Sequence, residues 1–394
     1  MSWISGQDIM TYIYTICSFG NRWMNSTGEE RTRDFLYDEF RKFGLETELQ
    51  PFPYLLYEPK RAYLNIDDQE VDCEPLALSN PGRHTVSGQI EYCGQCTHKD
   101  MNKFRERGEI AENSIVISDN LRSFEAYPNA EEAGAVGFIL ATNLDDNTIR
   151  CGSARFDQKE GTIPGVSIGG QDAGKLIRKL ENKQNVAGYM SIDSTIRAEE
   201  GKNVIARLPG ETNERIVISA HYDSFWNGVH AMDNGAGISS ILALAQKIQG
   251  KGKLPYTIEF VCFGGEELGL WGSTGYCKQS KDLSTNVKAI INLDTFGSNK
   301  SLLEIGATSD ILNLCEESAE TLGYQVDCWN SPPRSASDQD VFVRNGVSAI
   351  WFANCGSDPR YHTCLDQPSE MDQKKLEKVA NLALHITDRL NSGK

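Results

Sequence analysis

The sequence lacks the features that mark several large classes of protein. It has no run of about 18 apolar residues of the kind that spans a membrane, and no long stretch of lysine and arginine. Among its 394 residues, 39 are Lys or Arg and 55 are Asp or Glu, which gives a formal net charge of -16. Because binding to a phosphate backbone needs a concentrated basic surface, a nucleic acid is not expected as a partner. Because an apolar run of spanning length is missing, a membrane is not expected either.

An even set of cysteines and an export signal are lacking as well. The eleven cysteines are scattered from Cys17 to Cys364 in a chain that is long enough to fold without disulfides. The apolar stretch from Ile9 to Cys17 follows Asp8 instead of a basic flank, which is typical of a helix and not of a signal peptide. These features predict free thiols in a reducing, cytoplasmic environment.

The chain has the composition of a large globular protein. With 39% hydrophobic residues it can bury a sizeable core, and its length allows two or three folding units. No internal repeat or low-complexity segment is present. Residues 1–58 show helical spacing followed by a strand, residues 59–195 contain short apolar runs between turns, and residues 196–394 alternate strands with helices.

The alternation in the last 200 residues or so predicts the fold. Buried strands are expected at 215–220, 256–263, 287–293 and 348–353, with helices at 235–249, 311–322 and 373–390. Such a pattern is typical of an α/β fold with a mixed sheet that is parallel in its centre and sandwiched by helices. In folds of this kind the chemistry lies at the carboxyl ends of the strands.

Side chains suited to binding metal follow each of these strands. Two imidazoles and three carboxylates stand at or just past the strand ends, and one of the carboxylates belongs to a glutamate pair: His221, Asp233, Glu266 or Glu267, Asp294 and His362. Mixed nitrogen and oxygen ligands suit zinc, and one bridging carboxylate would let the set serve two ions. The other glutamate of the pair is then available as a base. Buried salt-bridged residues are the competing interpretation, but clustered carboxylates without cations would repel one another.

The motifs around these residues resemble the M28 metallopeptidases, zinc exopeptidases related to bacterial leucyl aminopeptidases and to glutamate carboxypeptidase. The matching segments occur in the family's order: His221-Tyr-Asp-Ser, Asp233-Asn-Gly, Glu266-Glu267-Leu-Gly, Leu293-Asp294 and Tyr361-His362-Thr363. The resemblance implies the zinc-exopeptidase fold and two zinc ions. It assigns His221 and Asp294 to one ion, Glu267 and His362 to the other, and Asp233 to both.

The resemblance also implies a mechanism. Metal-activated water would lose a proton to Glu266 as general base and would attack a peptide carbonyl. Asp223 would accept the second N–H of the His221 imidazole and fix its tautomer. The peptide bond that follows Asp233 would be cis. The implied activity is that of an aminopeptidase acting on short peptides.

Three residues are candidates for substrate contacts. Tyr361 precedes His362, His230 stands where relatives often carry glycine, and Arg334 follows two prolines. An ordinary loop position is the competing interpretation for His230 and Arg334. Relatives commonly carry Ser-Asp-His before the last strand, and Ser337-Asp338-Gln339 replaces it here; this puts one contact of that histidine in doubt.

The middle of the chain has a resemblance of its own. Gly88-Gln89-Ile90, Ala133-Gly134-Ala135 and Ile163-Pro164-Gly165 look like parts of a protease-associated domain, which implies that residues 59–195 are a small β-rich α/β insert. Two alternatives to the peptidase remain open. One is a hydrolase of a small non-peptide amide or a glutaminyl-cyclase-like enzyme with one zinc, and the other is a non-catalytic receptor-like relative. Assembly into a homo-oligomer is also left open.

Overall fold

A computed structural model of the protein describes residues 3–107, 113–280, 283–331, 337–353 and 358–392. The predicted Arg334 lies outside these ranges. The helices are numbered in chain order: α1 (Gly6–Cys17), α2 (Thr27–Lys42), α3 (His98–Arg107), α4 (Ser123–Glu132), α5 (Gly170–Glu181), α6 (Ala236–Gln249), α7 (Trp271–Gln279), α8 (Leu283–Asn286), α9 (Leu312–Leu322), α10 (Gln339–Arg344) and α11 (Gln373–Ser392).

The strands connect into one continuous hydrogen-bonded system. They are β1 (Glu46–Ile66), β2 (Gln69–Val71), β3 (Cys73–Pro75), β4 (Gly82–Tyr92), β5 (Ile115–Ser118), β6 (Gly137–Ala141), β7 (Gly165–Ile168), β8 (Ala187–Leu208), β9 (Thr212–His221), β10 (Tyr256–Phe263), β11 (Val287–Leu293), β12 (Glu304–Ala307), β13 (Asp327–Asn330) and β14 (Ala349–Ala353).

The part of this sheet formed by strands β8 to β14 is parallel in its centre. Strands β14, β11, β9 and β10 lie side by side in that order and run in the same direction. Their residues are buried along most of their length, as expected for strands that are covered on both faces. Strands β8 and β12 add antiparallel neighbours at the two sides. The predicted mixed, centrally parallel sheet is confirmed.

Helices cover both faces of this sheet. One hydrophobic core packs α1, α2, α6, α9 and α11 against one face, and a smaller core packs α7, α8 and α10 against the other. Both cores are built mainly from Ile, Leu, Val and Phe, whose burial is the main driving force for folding. The layered arrangement places the carboxyl ends of β9, β10, β11 and β14 along one edge.

A second parallel group of strands lies within residues 59–195. Strands β4, β5, β6 and β7 pair in parallel, and separate hydrophobic cores pack on this group. The predicted boundaries at 58 and 195 fall inside β1 and β8, which pair along their length from Glu46 with Arg207 to Ile66 with Gly188. These two long strands therefore extend across both predicted boundaries. The domain division with its protease-associated insert stays a prediction.

Two further observations concern the environment of the chain. No helix in the described ranges combines the length and apolar character needed to cross a bilayer. Every cysteine within those ranges is a free thiol, and most are buried. The cytoplasmic location stays a prediction.

Candidate metal centre

The edge formed by the carboxyl ends of the parallel strands gathers the predicted ligands. His221 is the last residue of β9, and Asp294 directly follows β11. Glu266 and Glu267 lie in the loop after β10, and His362 lies in the loop after β14. Asp233 enters from a short π-helical turn, Ala231–Gly235, immediately before α6. Because parallel strands end at the same edge, residues that are far apart in sequence meet here.

The carboxylate of Asp233 lies between the two imidazoles. Its Oδ1 is 3.0 Å from His221 Nε2, and its Oδ2 is 2.9 Å from His362 Nε2. His221 Nε2 is also 3.2 Å from Asp294 Oδ1, and His362 Nε2 is 3.3 Å from Glu267 Oε2. Two sets of three ligand atoms, each within 4.8 Å of one another, therefore share Asp233.

The ligand atoms are buried, and several have no hydrogen-bond partner. Asp233, Glu267 and His221 are at most 2% exposed. Within the described part of the chain, Asp233 Oδ2, Glu267 Oε1 and His362 Nε2 are buried without a hydrogen bond. Burying polar atoms without partners is costly unless a further group satisfies them. The orphaned atoms converge on each other, which fits a site for a cation.

The turn that carries Asp233 is held by two buried residues. The carboxylate of Asp366 accepts hydrogen bonds from the backbone N–H groups of Met232 (2.8 Å) and Asp233 (3.1 Å). Asn234 donates from Nδ2 to the backbone oxygen of Leu293 at 2.9 Å, which ties the turn to the end of β11. The Asp233–Asn234 peptide bond is cis, as predicted.

Asp223 makes a different contact from the predicted one. The Nδ1 of His221 lies 3.1 Å from the backbone oxygen of Asp223 but 3.6 Å from its carboxylate. The carboxylate instead accepts hydrogen bonds from the backbone N–H groups of Glu266 (3.1 Å) and Glu267 (3.2 Å). The main chain of Asp223 thus orients the imidazole, and its side chain fixes the loop that carries the two glutamates.

The segment that departs from the family pattern supports Asp294. Ser337 Oγ donates to Asp294 Oδ2 at 2.5 Å, and Thr295 Oγ1 donates to Oδ1 at 2.8 Å. Gln339 lies deeper, where its Oε1 accepts a hydrogen bond from Asn292 Nδ2 at 2.8 Å. Gln339 is therefore a buried partner of the strand that ends at Asp294.

Residues from the middle of the chain contact the backbone of two ligands. Cys151 donates its N–H to the backbone oxygen of His362 at 2.9 Å, and Ser153 Oγ donates to the backbone oxygen of Glu267 at 2.6 Å. Sequence reasoning missed both contacts because a backbone acceptor leaves no pattern in residue types. The site is thus assembled from both halves of the chain.

The electrostatic environment shifts the pKa values of the carboxylates in opposite directions. Burial, together with the nearby carboxylates of Asp294 and Asp338, raises the pKa of Glu266 well above its usual range, although His221 opposes this effect. Burial would also raise the pKa of Asp233, but the adjacent imidazoles of His221 and His362 lower it. An acid whose pKa is raised can hold a proton near neutral pH, as a general acid or base must.

Tyr361 and His230, the described candidates for substrate contacts, differ in what their side chains contact. The ring of Tyr361 stacks on that of His362, with 3.6 Å between centroids. His230 is fully buried, and its Nε2 lies 2.9 Å from Asn227 Oδ1. Arg150, which the sequence did not point to, lies with its guanidinium 4.5 Å from the centroid of the Tyr361 ring.

Comparisons with known proteins find similarity to peptidases. The profile of peptidase family M28 matches residues 203–387, which contain all five ligand-type residues. An aminopeptidase of Pseudomonas aeruginosa is 28% identical over 308 residues, covering 71% of this chain and 54% of the relative. The chain thus spans about half the length of that curated relative.

Solved structures share the fold across the whole chain. A peptidase M28 precursor from Shewanella amazonensis superposes with a TM-score of 0.79 at 22% identity, covering 98% of this chain and 92% of the other. A zinc aminopeptidase from Bacillus subtilis superposes with a TM-score of 0.74 at 21% identity, covering 98% and 94%. The profile match and the shared fold make residues 203–387 of this chain similar to peptidase family M28.

Proposed function

We propose that this chain is a zinc-dependent exopeptidase that removes the amino-terminal residue from short peptides. The observation that carries the proposal is the pair of ligand sets that share Asp233, with one of its oxygens directed to each set. The family match of residues 203–387 supports peptide-bond hydrolysis. The relatives named above are an aminopeptidase and a zinc aminopeptidase, which supports the same activity here.

The residues present fit zinc. The converging imidazole nitrogens and carboxylate oxygens are the ligand types that zinc prefers, and the buried atoms without hydrogen bonds would gain a partner. We assign His221 and Asp294 to one ion, Glu267 and His362 to a second, and Asp233 to both. Zinc bound at these positions would act as a Lewis acid on the peptide carbonyl and would acidify a water molecule.

The chain's own residues move the proton and orient the groups. Glu266, held in place by the hydrogen bond from its N–H to Asp223, accepts the proton of the attacking water and returns it to the leaving amine. Its raised pKa suits this exchange near neutral pH. The rings of Tyr361 and Phe225 both pack against the imidazole of His362, and the centroid of the Phe225 ring lies 4.6 Å from that of His362.

The number of zinc ions separates this proposal from its alternatives. Removal of metal with a chelator should abolish peptide hydrolysis, and elemental analysis of the reconstituted protein should find two zinc ions per chain. One ion per chain would favour the cyclase-like alternative, and none would favour the receptor-like one.

The variant Glu266→Gln tests the base. Glutamine keeps the shape of the side chain but cannot accept the proton, so the variant should bind zinc like the wild type and lose hydrolysis by a factor of about 10²–10⁴. Full turnover by this variant would exclude Glu266 as the base. Glu267→Gln is the matched comparison, because it should weaken zinc binding as well as activity.

One observation favours a narrower substrate class, peptides with a free carboxylate next to the scissile bond. Arg150 is 8% exposed, and its Nε has no hydrogen-bond partner among the described residues. Burial lowers its pKa, while Tyr361, Asp233 and Glu267 oppose this effect, so the guanidinium lies within electrostatic reach of the ligand set. No carboxylate forms an ion pair with this guanidinium among the described residues, and a buried guanidinium of this kind is suited to bind a carboxylate from a substrate.

A pair of substrates tests this narrower class. Leucyl-glycine and leucyl-glycinamide differ in the terminal carboxylate alone. In Arg150→Gln, the KM for leucyl-glycine should rise about 10- to 100-fold, because a charge-assisted hydrogen bond contributes about 1.5–3 kcal/mol. Hydrolysis of the amide should change little. Equal losses for both substrates would show that Arg150 does not read the carboxylate.

A further inference from the structure

A buried arginine near the amino terminus contacts both ends of the β9–α6 connection, which carries two of the proposed ligands, His221 and Asp233. Arg22 is 0% exposed, and no ion pair of its guanidinium occurs within the described ranges. The group instead donates hydrogen bonds to four backbone oxygens. An arginine buried in this way is unusual, because buried cations are normally paired with an anion.

The four acceptors lie in the single connection between β9 and α6, one at its start and three near its end. Nε donates to the oxygen of Tyr222 at 2.8 Å, directly after His221. Nη1 donates to the oxygen of Val229 at 2.5 Å. Nη2 donates to the oxygen of His230 at 3.0 Å and, more weakly, to that of Asp233 at 3.4 Å. One rigid guanidinium thus joins the two ends of the connection that runs from β9 to α6.

The main chain of Arg22 is hydrogen-bonded to the start of the β9–α6 connection. Its N–H donates to Ser224 Oγ at 3.0 Å, and the N–H of Ser224 donates to the backbone oxygen of Arg22 at 3.1 Å. The next residue, Trp23, stacks on Phe225 with 5.5 Å between ring centroids. Both the backbone and the guanidinium of Arg22 are therefore fixed by hydrogen bonds. The side chain can thus hold the two ends of the β9–α6 connection at a set distance.

We infer that Arg22 is a positioning residue that sets the spacing between His221 and Asp233, and through it the affinity of the site for zinc. The inference rests on the proposed zinc-dependent function. The planar guanidinium offers five N–H donors in a fixed arrangement. Lysine would keep the charge but presents its donors from a single atom, so it cannot satisfy four oxygens at the two ends of this connection.

The test compares Arg22→Lys with the wild type and with Arg389→Lys. Arg389 also donates to a backbone oxygen, that of Leu314, but it lies on α11 away from the ligands. Zinc affinity is measured by competition with a chromogenic chelator, and the absorption spectrum of the cobalt-substituted protein reports the ligand geometry. Metal-free stability is measured by urea unfolding.

In Arg22→Lys, zinc affinity should fall about 10- to 100-fold, as is typical when a partner that orients metal ligands is lost, and the cobalt spectrum should change. Arg389→Lys should leave both readouts unchanged. If Arg22→Lys does not fold, Ser224→Ala decides, because it removes one anchor of Arg22 and should also weaken zinc binding.

The results that would refute the positioning role alone differ from the result that would refute the proposed function as well. A folded Arg22→Lys protein with wild-type zinc affinity and an unchanged cobalt spectrum would refute the positioning role and leave the proposed function intact, as would unchanged zinc binding in Ser224→Ala where the lysine variant does not fold. A wild-type protein that binds neither zinc nor cobalt would refute the proposed function together with this inference.

Discussion

The close approach of α6 to the end of β11 makes Gly237→Ala an informative perturbation. A methyl group at Gly237 would lie 2.3 Å from the backbone oxygen of Leu293 and 2.3 Å from Asn234 Oδ1, whereas real Cβ contacts do not fall below 3.0 Å. The difference, 3.0 minus 2.3, requires a displacement of at least 0.7 Å. Because Leu293 precedes Asp294 and Asn234 follows Asp233, the displacement would separate two ligands.

The expected effects on stability and on activity differ in size. Overpacking costs about 1–3 kcal/mol, while replacing glycine by alanine inside a helix returns about 1 kcal/mol. The free energy of unfolding of Gly237→Ala should therefore fall by only about 0–2 kcal/mol. A misplacement approaching 1 Å can reduce catalysis about 100-fold, so kcat/KM and zinc affinity should fall much further than stability does.

Gly250→Ala at the other end of α6 is the matched control. A methyl group there would meet only the backbone oxygen of Lys247, at 3.8 Å, and the backbone at this position is right-handed helical. Its free energy of unfolding should change by less than about 1 kcal/mol, with unchanged hydrolysis. Both variants are compared by urea unfolding, chelator competition and peptide hydrolysis. Wild-type zinc affinity and kcat/KM in Gly237→Ala would refute the reasoning.

Three further substitutions test other parts of the structure. Glu259→Ala breaks a buried ion-pair network on β10 and should cost about 3–5 kcal/mol in urea unfolding, with unchanged zinc affinity. Ser153→Ala should cost about 1 kcal/mol and weaken zinc binding through Glu267; equal zinc affinity would contradict this. Burial alone would raise the pKa of Asp358, but hydrogen bonds, first that from Arg360, lower it. Its ionised form therefore stabilises the fold above the unfolded pKa of about 3.9, and this contribution is lost as the pH falls through the folded pKa. Asp358→Asn should be less stable than the wild type at pH 7, and the gap should close in acid; a gap independent of pH would contradict the assignment.

Local sequence patterns predicted the central strands well. The bounds of β10 and β11 match the predicted 256–263 and 287–293, because continuous apolar runs between turn residues are typical of buried parallel strands. Of the two long strands, β1 was predicted only in its first part and β8 was not predicted. Their pairing over about 20 residues depends on contacts between segments more than 100 residues apart, and no local pattern records such a partner.

The candidate site shows the same division. The five ligand-type residues could be predicted because four lie at or after a strand end and Asp233 lies in the turn before α6, and the parallel strands end at one edge. The hydrogen bond from His221 Nδ1 was predicted to go to the carboxylate of Asp223, but that carboxylate is occupied by two backbone N–H groups. Competition for one acceptor is decided by the folded loops and not by residue type.

The sequence by itself determined the class of the fold, the donor types of the metal centre and the glutamate pair, because strand periodicity and ligand chemistry are properties of residue type and order. The tertiary structure alone decided which atoms converge and what holds them. It directed one oxygen of Asp233 to each imidazole, placed the guanidinium of Arg22 against both ends of the β9–α6 connection, and brought Arg150 beside Tyr361. These contacts join segments that are distant in the chain, and their donors bind backbone oxygens or ring faces that every sequence offers.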